Sequence, residues 1–430
     1  MGFSKKDVED LSAALGEPGW VLDHRLQAWD TFTKMELPGE KEEPWRYTNL
    51  AMLRLKLDRF SPVRSDQIRP RSPSEAPAVP EGRSARIDLT SGGASVACED
   101  PTLESKGVVV TDLASAMREH EELVRKHLFS EASSDSHIFT ALHAALFSGG
   151  AFVYVPRGVT VELPIDVQVH VEDPAVAFMP HNLVIVEEGG ELCVLEHFVS
   201  GAIPSDSLSN SALEVIARQA SRVFVTTIED FGERVWHFQQ QRFAAAKDAN
   251  LKSLVLTLGG RFSRSEISAA LRGEGIGVQM LGLYLASGKQ HFDFRTLQDH
   301  VAPHCTSDLL FKGALRDESR AVYSGLIHVR PGGAGTDAYQ TNRNLVLSDR
   351  AKADSKPELE IENNDVRCSH AASVGQINEE EVFYLQARGI DRAQAERLIV
   401  QGFFEEVLGR LGRPDIVGLA RLTLEGALTR

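Results

Sequence analysis

The stretch that decides the fold lies near the middle of the chain, where Leu254-Val255-Leu256-Thr257 is followed by Gly259-Gly260 and then by Glu266-Ile267-Ser268-Ala269. A short apolar run that ends at glycine is typical of a β-strand, and alternating polar and apolar side chains predict a strand with one face turned inward. Similar runs recur across residues 151–375, with almost no helical signals between them. They are Phe152-Val153-Tyr154-Val155, Ile165-Asp166-Val167-Gln168-Val169, Leu183-Val184-Ile185-Val186, Arg222-Val223-Phe224-Val225, Val278-Gln279-Met280-Leu281, Val322 to Val329 and Leu345-Val346-Leu347.

The junctions between these runs favour stacked strands over hairpins. Turns of the Asn-Gly or Asp-Gly type are missing, and glycine often closes a run instead, as at Gly189-Gly190 and Gly332-Gly333. In a β-solenoid, short strands stack so that each coil buries its apolar side chains against the next coil. The sequence therefore predicts a mainly β fold whose core, residues 151–375, is a β-solenoid, although no strict sequence period is visible.

The segments before this core have a different sequence pattern. Residues 1–60 are predicted to form an N-terminal helical region, because large apolar residues recur there at spacings of three and four. Residues 61–83 are rich in Pro, Ser and Arg, which predicts an exposed and mobile linker. Residues 84–150 are predicted to be a lead-in of mixed strand and helix. The apolar residues of the first region are Leu11, Leu15, Leu22, Leu26, Trp29 and Phe32.

The pattern becomes helical again over residues 376–430. Asn378 with Glu381 three residues later is typical of a capped helix start. Phe403, Phe404, Val407 and Leu408 then crowd one broad side of a helix. Two interpretations stay open for this apolar side, which either packs on the rest of the chain or forms a docking surface for a partner.

Composition narrows the class of protein. Of 430 residues 42% are hydrophobic and 25% are charged, which is typical of a globular chain. Lys and Arg (46) against Asp and Glu (61) give a net charge of −15, so a nucleic-acid surface, which needs a basic footprint, is disfavoured. Neither a signal peptide nor a membrane span is visible, so we expect no membrane association and a cytoplasmic location.

Cys368-Ser369-His370 is the best candidate for chemistry in the chain. It follows the strand-like stretch Leu359-Glu360-Ile361, and side chains at positions i and i+2 of a strand lie on the same face. A thiolate beside an imidazole suits iron, iron–sulfur clusters and zinc. Two ligands cannot hold a cluster alone, and the alternative interpretation is structural burial of both side chains.

Other candidate sites are weaker. His291, His300, His304 and Cys305 form the densest group of His and Cys, but Pro303 disfavours a helix that would place them on one face. No nucleotide-binding glycine loop and no hydrolase motif is present. Paired acids, such as those between residues 358 and 365, are typical of a solvated strand face. A carbohydrate-active β-helix enzyme that uses such acids in a groove is an alternative hypothesis.

Several motifs resemble those of the SufB/SufD family of iron–sulfur cluster assembly proteins, in the same order and over nearly the whole chain. The resemblance is closer to the SufD members, and a SufB-like protein is the alternative; the amino-terminal cysteine cluster of many SufB chains is absent. The motifs are Trp45-Arg46-Tyr47-Thr48, Tyr154-Val155-Pro156-Arg157-Gly158-Val159, Asp299-His300, Pro303-His304, Lys312-Gly313, Thr336 to Leu345, Ser355 to Ile361, Val366-Arg367-Cys368-Ser369-His370, Val374-Gly375, Phe383-Tyr384-Leu385 and Arg388-Gly389-Ile390.

The resemblance implies a right-handed parallel β-helix core with helical regions at both ends. It also implies a scaffold subunit that is not itself an enzyme, that pairs with a SufB-like subunit through the β-helix, and that binds a SufC-like ATPase through its carboxyl-terminal helices. The separate ATPase explains the missing nucleotide loop. A homodimer of the isolated chain is a further expectation, because exposed solenoid ends favour association.

The resemblance also assigns a site. Cys368 and His370 match positions near the SufB–SufD interface, and the histidine is the residue that the family implicates in cluster assembly. The chain is then expected to hold no cofactor stably by itself, and to share iron or a nascent cluster transiently with its partner. Neutral imidazole ligates iron well, and a site completed across an interface needs only one or two ligands from each chain.

Overall fold

The N-terminal part of the chain is helical and lies against the core. The computed structural model describes residues 2–64 and 82–429, so most of the predicted linker lies outside the described residues. Helix α1 (Lys5–Leu15) starts at a capping box between Ser4 and Asp7, and α2 (Gly19–Phe32) follows. Before the gap, the short strand β1 (Ser61–Pro62) pairs in parallel with residues 176–177.

A mixed segment leads into the solenoid. Strand β2 (Ala85–Thr90) pairs antiparallel with β3 (Gly93–Cys98) and parallel with β6 (Ile165–His170), so the first β-structure already joins the main sheet. Strand β4 (Val109–Asp112) pairs antiparallel with β5 (Ala151–Val155). Four helices complete the segment: α3 (Thr102–Ser105), α4 (Leu113–Glu119), α5 (Glu121–His127) and the fully buried α6 (Ile138–Leu146).

The core is a parallel β-solenoid in which successive strands alternate between two sheets. From β8 to β19 each strand pairs in parallel with the strand two positions later, so the even-numbered strands from β8 onward form one sheet and the odd-numbered strands from β9 onward form the other. Before them, β5 joins the even-numbered sheet and β6 joins the odd-numbered sheet. The predicted β-helix is confirmed. The remaining strands are β7 (Val176–Phe178), β8 (His181–Val186), β9 (Glu191–Val199), β10 (Ser207–Ala217), β11 (Arg222–Asp230), β12 (Val235–Ala245), β13 (Asn250–Thr257), β14 (Phe262–Leu271), β15 (Gly277–Ala286), β16 (His291–His300), β17 (Thr306–Leu315), β18 (Arg320–Val329), β19 (Thr336–Val346), β20 (Lys352–Ile361) and β21 (Val366–Gln376).

Stacking of like side chains explains why this sequence folds as a solenoid. Val223, Leu251 and Val278 occupy one ladder row of the odd-numbered sheet and are all buried in the interior. Each coil therefore removes the apolar surface of its neighbour from water. The corner at Gly259 admits no side chain, because a Cβ there would lie 2.0 Å from the carbonyl oxygen of Phe231.

The interior also contains polar rows. Glu196 accepts hydrogen bonds from Asn182 (2.7 Å) and Thr227 (2.9 Å), and Glu229 accepts them from Ser263 (2.5 Å) and Ser265 (3.0 Å). Burial raises the pKa of Glu196 to about 7. Because a buried polar group without a partner is costly, these bonds allow the polar rows to coexist with the apolar core.

Three helices follow the solenoid and cover part of its odd-numbered sheet. They are α7 (Glu379–Gln386), α8 (Arg392–Leu408) and α9 (Pro414–Thr429). Lys312 of β17 anchors α8, because its Nζ lies 2.5 Å from Glu406 and donates a hydrogen bond to the carbonyl oxygen of Phe403 at 2.9 Å. No helix in the described part of the chain is long and apolar enough to cross a membrane.

Candidate functional site

The predicted pair of Cys368 and His370 lies on β21, the last strand of the solenoid. Cys368 is the register partner of Ala338, and His370 is the register partner of Gln340. Ala338 and Gln340 are both buried in the solenoid interior. Because same-row side chains in parallel strands lie on one face, Cys368 and His370 both belong to the inward rows of the last coil.

The two side chains differ in environment. Cys368 is half-buried and packs with Ile327, Val329 and Ala338, and burial raises the pKa of its thiol. His370 is exposed, and its imidazole has no hydrogen-bond partner within residues 2–64 and 82–429. Its imidazole is therefore free to contact a ligand or another chain, whereas the thiol has to lose a proton before it can ligate a metal.

The last coil also ends in two open strand edges. In the described part of the chain, β20 and β21 each have a neighbouring strand on one side only. Their outer edges therefore present unpaired backbone N–H and C=O groups, which favour pairing with another chain. Pro357 lies in β20, as expected of an edge strand, and the apolar side chains of Ile361 and Val374 are exposed there.

In the group of His291, His300, His304 and Cys305, three side chains are held by hydrogen bonds within the chain, and His304 is exposed. His291 lies 3.2 Å from the hydroxyl of Thr48, and His300 lies 2.8 Å from the hydroxyl of Ser307. The thiol of Cys305 donates to the carbonyl oxygen of residue 273 at 3.1 Å. In the part of the chain that the structure describes, no group of three or more His, Cys, Asp or Glu side chains is arranged to hold a metal ion.

The paired acids near the end of the solenoid face solvent. Glu358, Glu360 and Glu362 are exposed on or beside β20, as the interpretation of a solvated strand face expects. Glu362 accepts a hydrogen bond from His328 at 2.8 Å. The position of these acids therefore agrees with the interpretation of a solvated strand face.

The residues predicted to dock a partner are buried or partly buried against the solenoid. Phe404, Val407 and Leu408 are buried in one cluster with Leu254 and Leu283 of the odd-numbered sheet. The first interpretation of the apolar side, packing on the rest of the chain, therefore describes these side chains. Phe403 is only partly buried, with its ring 4.4 Å from Nζ of Lys312.

The two exposed aromatic residues named for the helical region lie on α7. Phe383 is 72% exposed and Tyr384 is 56% exposed, and the guanidinium of Arg388 lies 4.4 Å from the Tyr384 ring centre. Leu398 on α8 is also exposed. Two adjacent exposed aromatic residues beside an arginine are typical of a protein-binding surface. The sequence signal, the motif Phe383-Tyr384-Leu385, was visible without the structure.

A buried polar chain that the sequence did not reveal holds the lead-in segment on the core. His143 contacts His181 at 3.0 Å, and His181 contacts the carboxylate of Glu214 at 2.8 Å. That carboxylate also accepts backbone N–H bonds from Phe129 (2.6 Å) and Glu131 (2.6 Å). Residues so far apart in sequence are brought together only by the coils, so no local pattern predicts them.

Fold and site together define a class of protein: a β-solenoid with helical ends whose last coil presents a cysteine and a histidine at open strand edges. Residues 169–403 match the family described as SUF system FeS cluster assembly, SufBD core domain, and residues 78–167 match the SufBD protein N-terminal region. The chain therefore belongs to the SufBD family and is an iron–sulfur cluster assembly protein.

Individual relatives agree with this assignment. The chain is 30% identical to the iron–sulfur cluster assembly protein SufD of Bacillus subtilis, over 96% of this chain and 94% of the relative. It is 26% identical to SufB of the same organism, over 99% of this chain and 94% of that relative. A SufBD family protein of Staphylococcus epidermidis is 27% identical over 99% of this chain.

Proposed function

We propose that this chain is a SufD-like scaffold subunit of an iron–sulfur cluster assembly complex. In this role it catalyses no reaction itself, pairs with a SufB-like subunit, and binds a SufC-like ATPase that supplies the energy of ATP hydrolysis. Higher identity to SufD than to SufB supports the SufD-like assignment. Because the chain belongs to this family, the carbohydrate-active alternative is not proposed.

The observation that carries the proposal is the exposed Cys368-Ser369-His370 strand at the open end of the solenoid. Two protein ligands are too few to hold iron or a cluster firmly, so ligands from another chain are needed to complete a site. Iron or a nascent cluster is then a cargo shared across the interface. We assign His370 as the first ligand, because it is exposed, and Cys368 as the second.

The open edges of β20 and β21 support the proposed pairing. A strand of a partner subunit can add to either edge through backbone hydrogen bonds, while Ile361 and Val374 supply apolar contact. A SufB-like subunit is the proposed occupant. In its absence a second copy of this chain can use the same edges, so we propose a homodimer for the isolated protein, which light scattering after gel filtration measures.

The proposed ATPase contact is the surface formed by Phe383, Tyr384 and Arg388, which we call the α7 patch. It replaces Phe404, Val407 and Leu408 as the docking surface, because those side chains are buried in the core. Phe403, partly buried at the edge of that cluster, belongs to the packing of α8. The α7 patch lies on a helix, whereas the proposed pairing uses the strand edges of β20 and β21, so we propose a different surface for each partner.

Complementation tests the role of His370. In cells that lack the native subunit, we expect His370→Ala to reduce the maturation of iron–sulfur enzymes, because the exposed ligand is lost. Ser369→Ala is the matched control, since Ser369 is the adjacent exposed residue on the opposite face of the strand. Wild-type maturation with His370→Ala would show that the imidazole has no part in assembly.

Co-purification tests the α7 patch. We expect the double substitution Phe383→Ser and Tyr384→Ser to weaken binding to a SufC-like ATPase without lowering the melting temperature, because both side chains are exposed. Met52→Ser, which is 76% exposed on the N-terminal region, is the control. Deleting residues 376–430 is less informative, because the deletion also uncovers the apolar face of the odd-numbered sheet. Unchanged binding by the double variant rejects the patch.

A SufB-like role is the second candidate, and similarity to SufB over 99% of the chain favours it. The two roles differ in where the cluster forms. A SufB-like protein is expected to assemble a cluster on the isolated chain during anaerobic reconstitution, which visible absorption and iron counting detect. A SufD-like protein is expected to remain colourless until a SufB-like partner is added.

A further inference from the structure

Gln340 occupies the interior position directly before His370 along the solenoid axis. It lies on β19, is the register partner of His370, and is only 1% exposed. It belongs to the motif Thr336 to Leu345, which neither the pairing surface nor the α7 patch explains. The following inference about Gln340 rests on the proposed role of His370 as a ligand for iron.

The hydrogen bonds of Gln340 leave one atom without a partner. Its Nε2 donates to the carbonyl oxygen of Gly325 at 3.1 Å, and a carbonyl oxygen can only accept, so the amide orientation is determined. Its Oε1 is buried and has no hydrogen-bond partner. A buried acceptor without a partner is costly, and Oε1 of Gln340 shares this feature with the interior glutamines Gln168, Gln241 and Gln298. Gln340 differs from them in being the register partner of His370.

Gly325 makes room for this arrangement. A Cβ at position 325 would lie 2.5 Å from Nε2 of Gln340 and 2.3 Å from the hydroxyl of Tyr323. Tyr323 is itself held by a 2.9 Å hydrogen bond to Thr296. The amide of Gln340 is therefore confined on the side of Gly325, and the side chain belongs to the interior row that His370 continues in the next coil.

We propose that Gln340 is the positioning residue for His370. A histidine that ligates a metal through one ring nitrogen carries a proton on the other, and that N–H usually donates to a carbonyl or carboxylate oxygen. When iron holds the imidazole over the open end of the solenoid, the free ring N–H donates to Oε1 of Gln340. This bond selects the tautomer and the ring orientation in which the other nitrogen faces the iron.

A second unpartnered atom lies at the same end of the solenoid. The hydroxyl oxygen of Ser355 on β20 is buried without a partner, and Ser355 is the register partner of Tyr323. Pro357, two residues later, is the register partner of Gly325. The motif Ser355 to Ile361 and the motif that contains Gln340 thus both contribute to the interior beside the last coil, on opposite sheets.

Iron affinity tests the proposal. The complex of this chain with a SufB-like subunit and a SufC-like ATPase is titrated anaerobically with Fe²⁺, and the dissociation constant is measured from retained iron. We expect Gln340→Met, which keeps the side-chain volume and removes the acceptor, to weaken iron binding by about 10- to 100-fold. Gln340→Glu keeps an acceptor oxygen and is expected to bind iron within a few-fold of wild type.

Gln298→Met is the matched control. Gln298 is also a buried interior glutamine with an unpartnered Oε1, and its Nε2 donates to Ser307 at 2.6 Å, but its register partners are Ala269 and Ile327. We expect no change in iron affinity for this control.

All variants are first compared by thermal melting. Should Gln340→Met fail to assemble, Gln340→Asn, whose amide is one methylene shorter, replaces it with the same expected loss.

The outcomes separate this inference from the proposed function. Weaker iron binding by His370→Ala together with wild-type binding by Gln340→Met overturns the positioning role and leaves the ligand role intact. Wild-type binding by His370→Ala overturns both. A loss in Gln298→Met equal to that in Gln340→Met assigns the effect to a general weakening of the interior and also overturns the positioning role.

Discussion

His237 in the middle of the solenoid and His370 in its last coil occupy the same kind of inward position, but their surroundings are opposite. His237 is fully buried, with its ring centre 5.0 Å from those of both Phe198 and Phe231, and burial lowers its pKa to about 3. His370 is exposed on the last strand. The two residues differ because coils follow β12, whereas no further coil follows β21 in the described chain.

This difference teaches how one repeating architecture covers some inward residues and leaves others open. In the middle coils an inward residue is covered by neighbours on both sides along the axis, so it contributes to stability by burial. In the last coil the same position is covered on one side only. A residue there adds little to stability and remains available for another chain or for iron, which is why we expect function at the end of the stack.

The largest expected effect is the removal of an interior aromatic ring. Phe311 on β17 is 1% exposed, so Phe311→Ala should reduce the free energy of unfolding by about 3–5 kcal/mol. Val374→Ala, at an inward position of β21, should change it by less than about 0.5 kcal/mol, because Val374 is 49% exposed. Urea unfolding measures both. Equal losses would show that the last coil is as well covered as the middle coils.

An intermediate effect is expected from acid. An unfolded histidine titrates near 6.5, whereas the folded pKa of His237 is about 3, so between these values only the unfolded chain binds the proton. The stability that depends on neutral His237 is therefore fully present above pH 6.5 and is lost as the pH falls. Between pH 6.5 and pH 4.5 the protonation of this residue in the unfolded chain lowers the free energy of unfolding by about 2 kcal/mol.

His237→Gln checks this expectation, because glutamine has no proton to gain in this range. The free energy of unfolding of the variant should fall less steeply from pH 7.5 to pH 4.5 than that of the wild type. The free energy of unfolding of both proteins should still fall with pH, because other buried histidines also have lowered pKa values. His197 and His291, with pKa values of about 4, are examples. Parallel slopes for the two proteins would contradict the assigned pKa.

The smallest effect concerns thiol reactivity. Cys193 and Cys305 are buried, whereas Cys368 is half-buried and Cys98 is exposed. We expect iodoacetamide to alkylate Cys98 and Cys368 in the folded protein, and Cys193 and Cys305 only after unfolding. Because burial raises the pKa of Cys368, its alkylation should accelerate as the pH rises above 8. Mass spectrometry of digested samples gives the order in which the four thiols are alkylated. If Cys368 is protected as strongly as Cys305, the last coil is not open.

Much of the fold was predictable from local patterns. The run Leu254-Val255-Leu256-Thr257 lies within strand β13. The helical sequence pattern after residue 375 corresponds to α7, α8 and α9. The strand that contains Cys368 and His370 was also predicted, since the alternation of side chains along a strand is a local property. The short apolar runs succeed as signals because a solenoid is built mainly from contacts between neighbouring coils.

The sequence could not decide between packing and docking for the apolar side of α8. An apolar helix side has the same sequence pattern whether it packs on its own core or on a partner, so Phe404, Val407 and Leu408 could not be distinguished from a binding surface. The structure distinguishes them, because the outer face of the odd-numbered sheet has an apolar surface that these side chains cover. Exposure then identifies Phe383 and Tyr384 as the remaining candidates.

The sequence by itself determined the solenoid, the helical ends, the family and the residue types at the candidate site, because these depend on composition, local alternation and motif order. Only the tertiary structure decided which inward residues are covered and which are open, and which residue lies beside His370. The pairing of each strand with the strand of the next coil decides which residues are neighbours. The position of a coil in the stack decides whether its inward residues are covered. Gln340 and His370 lie on neighbouring strands of one sheet, 30 residues apart in sequence, so they become register partners only when those strands pair.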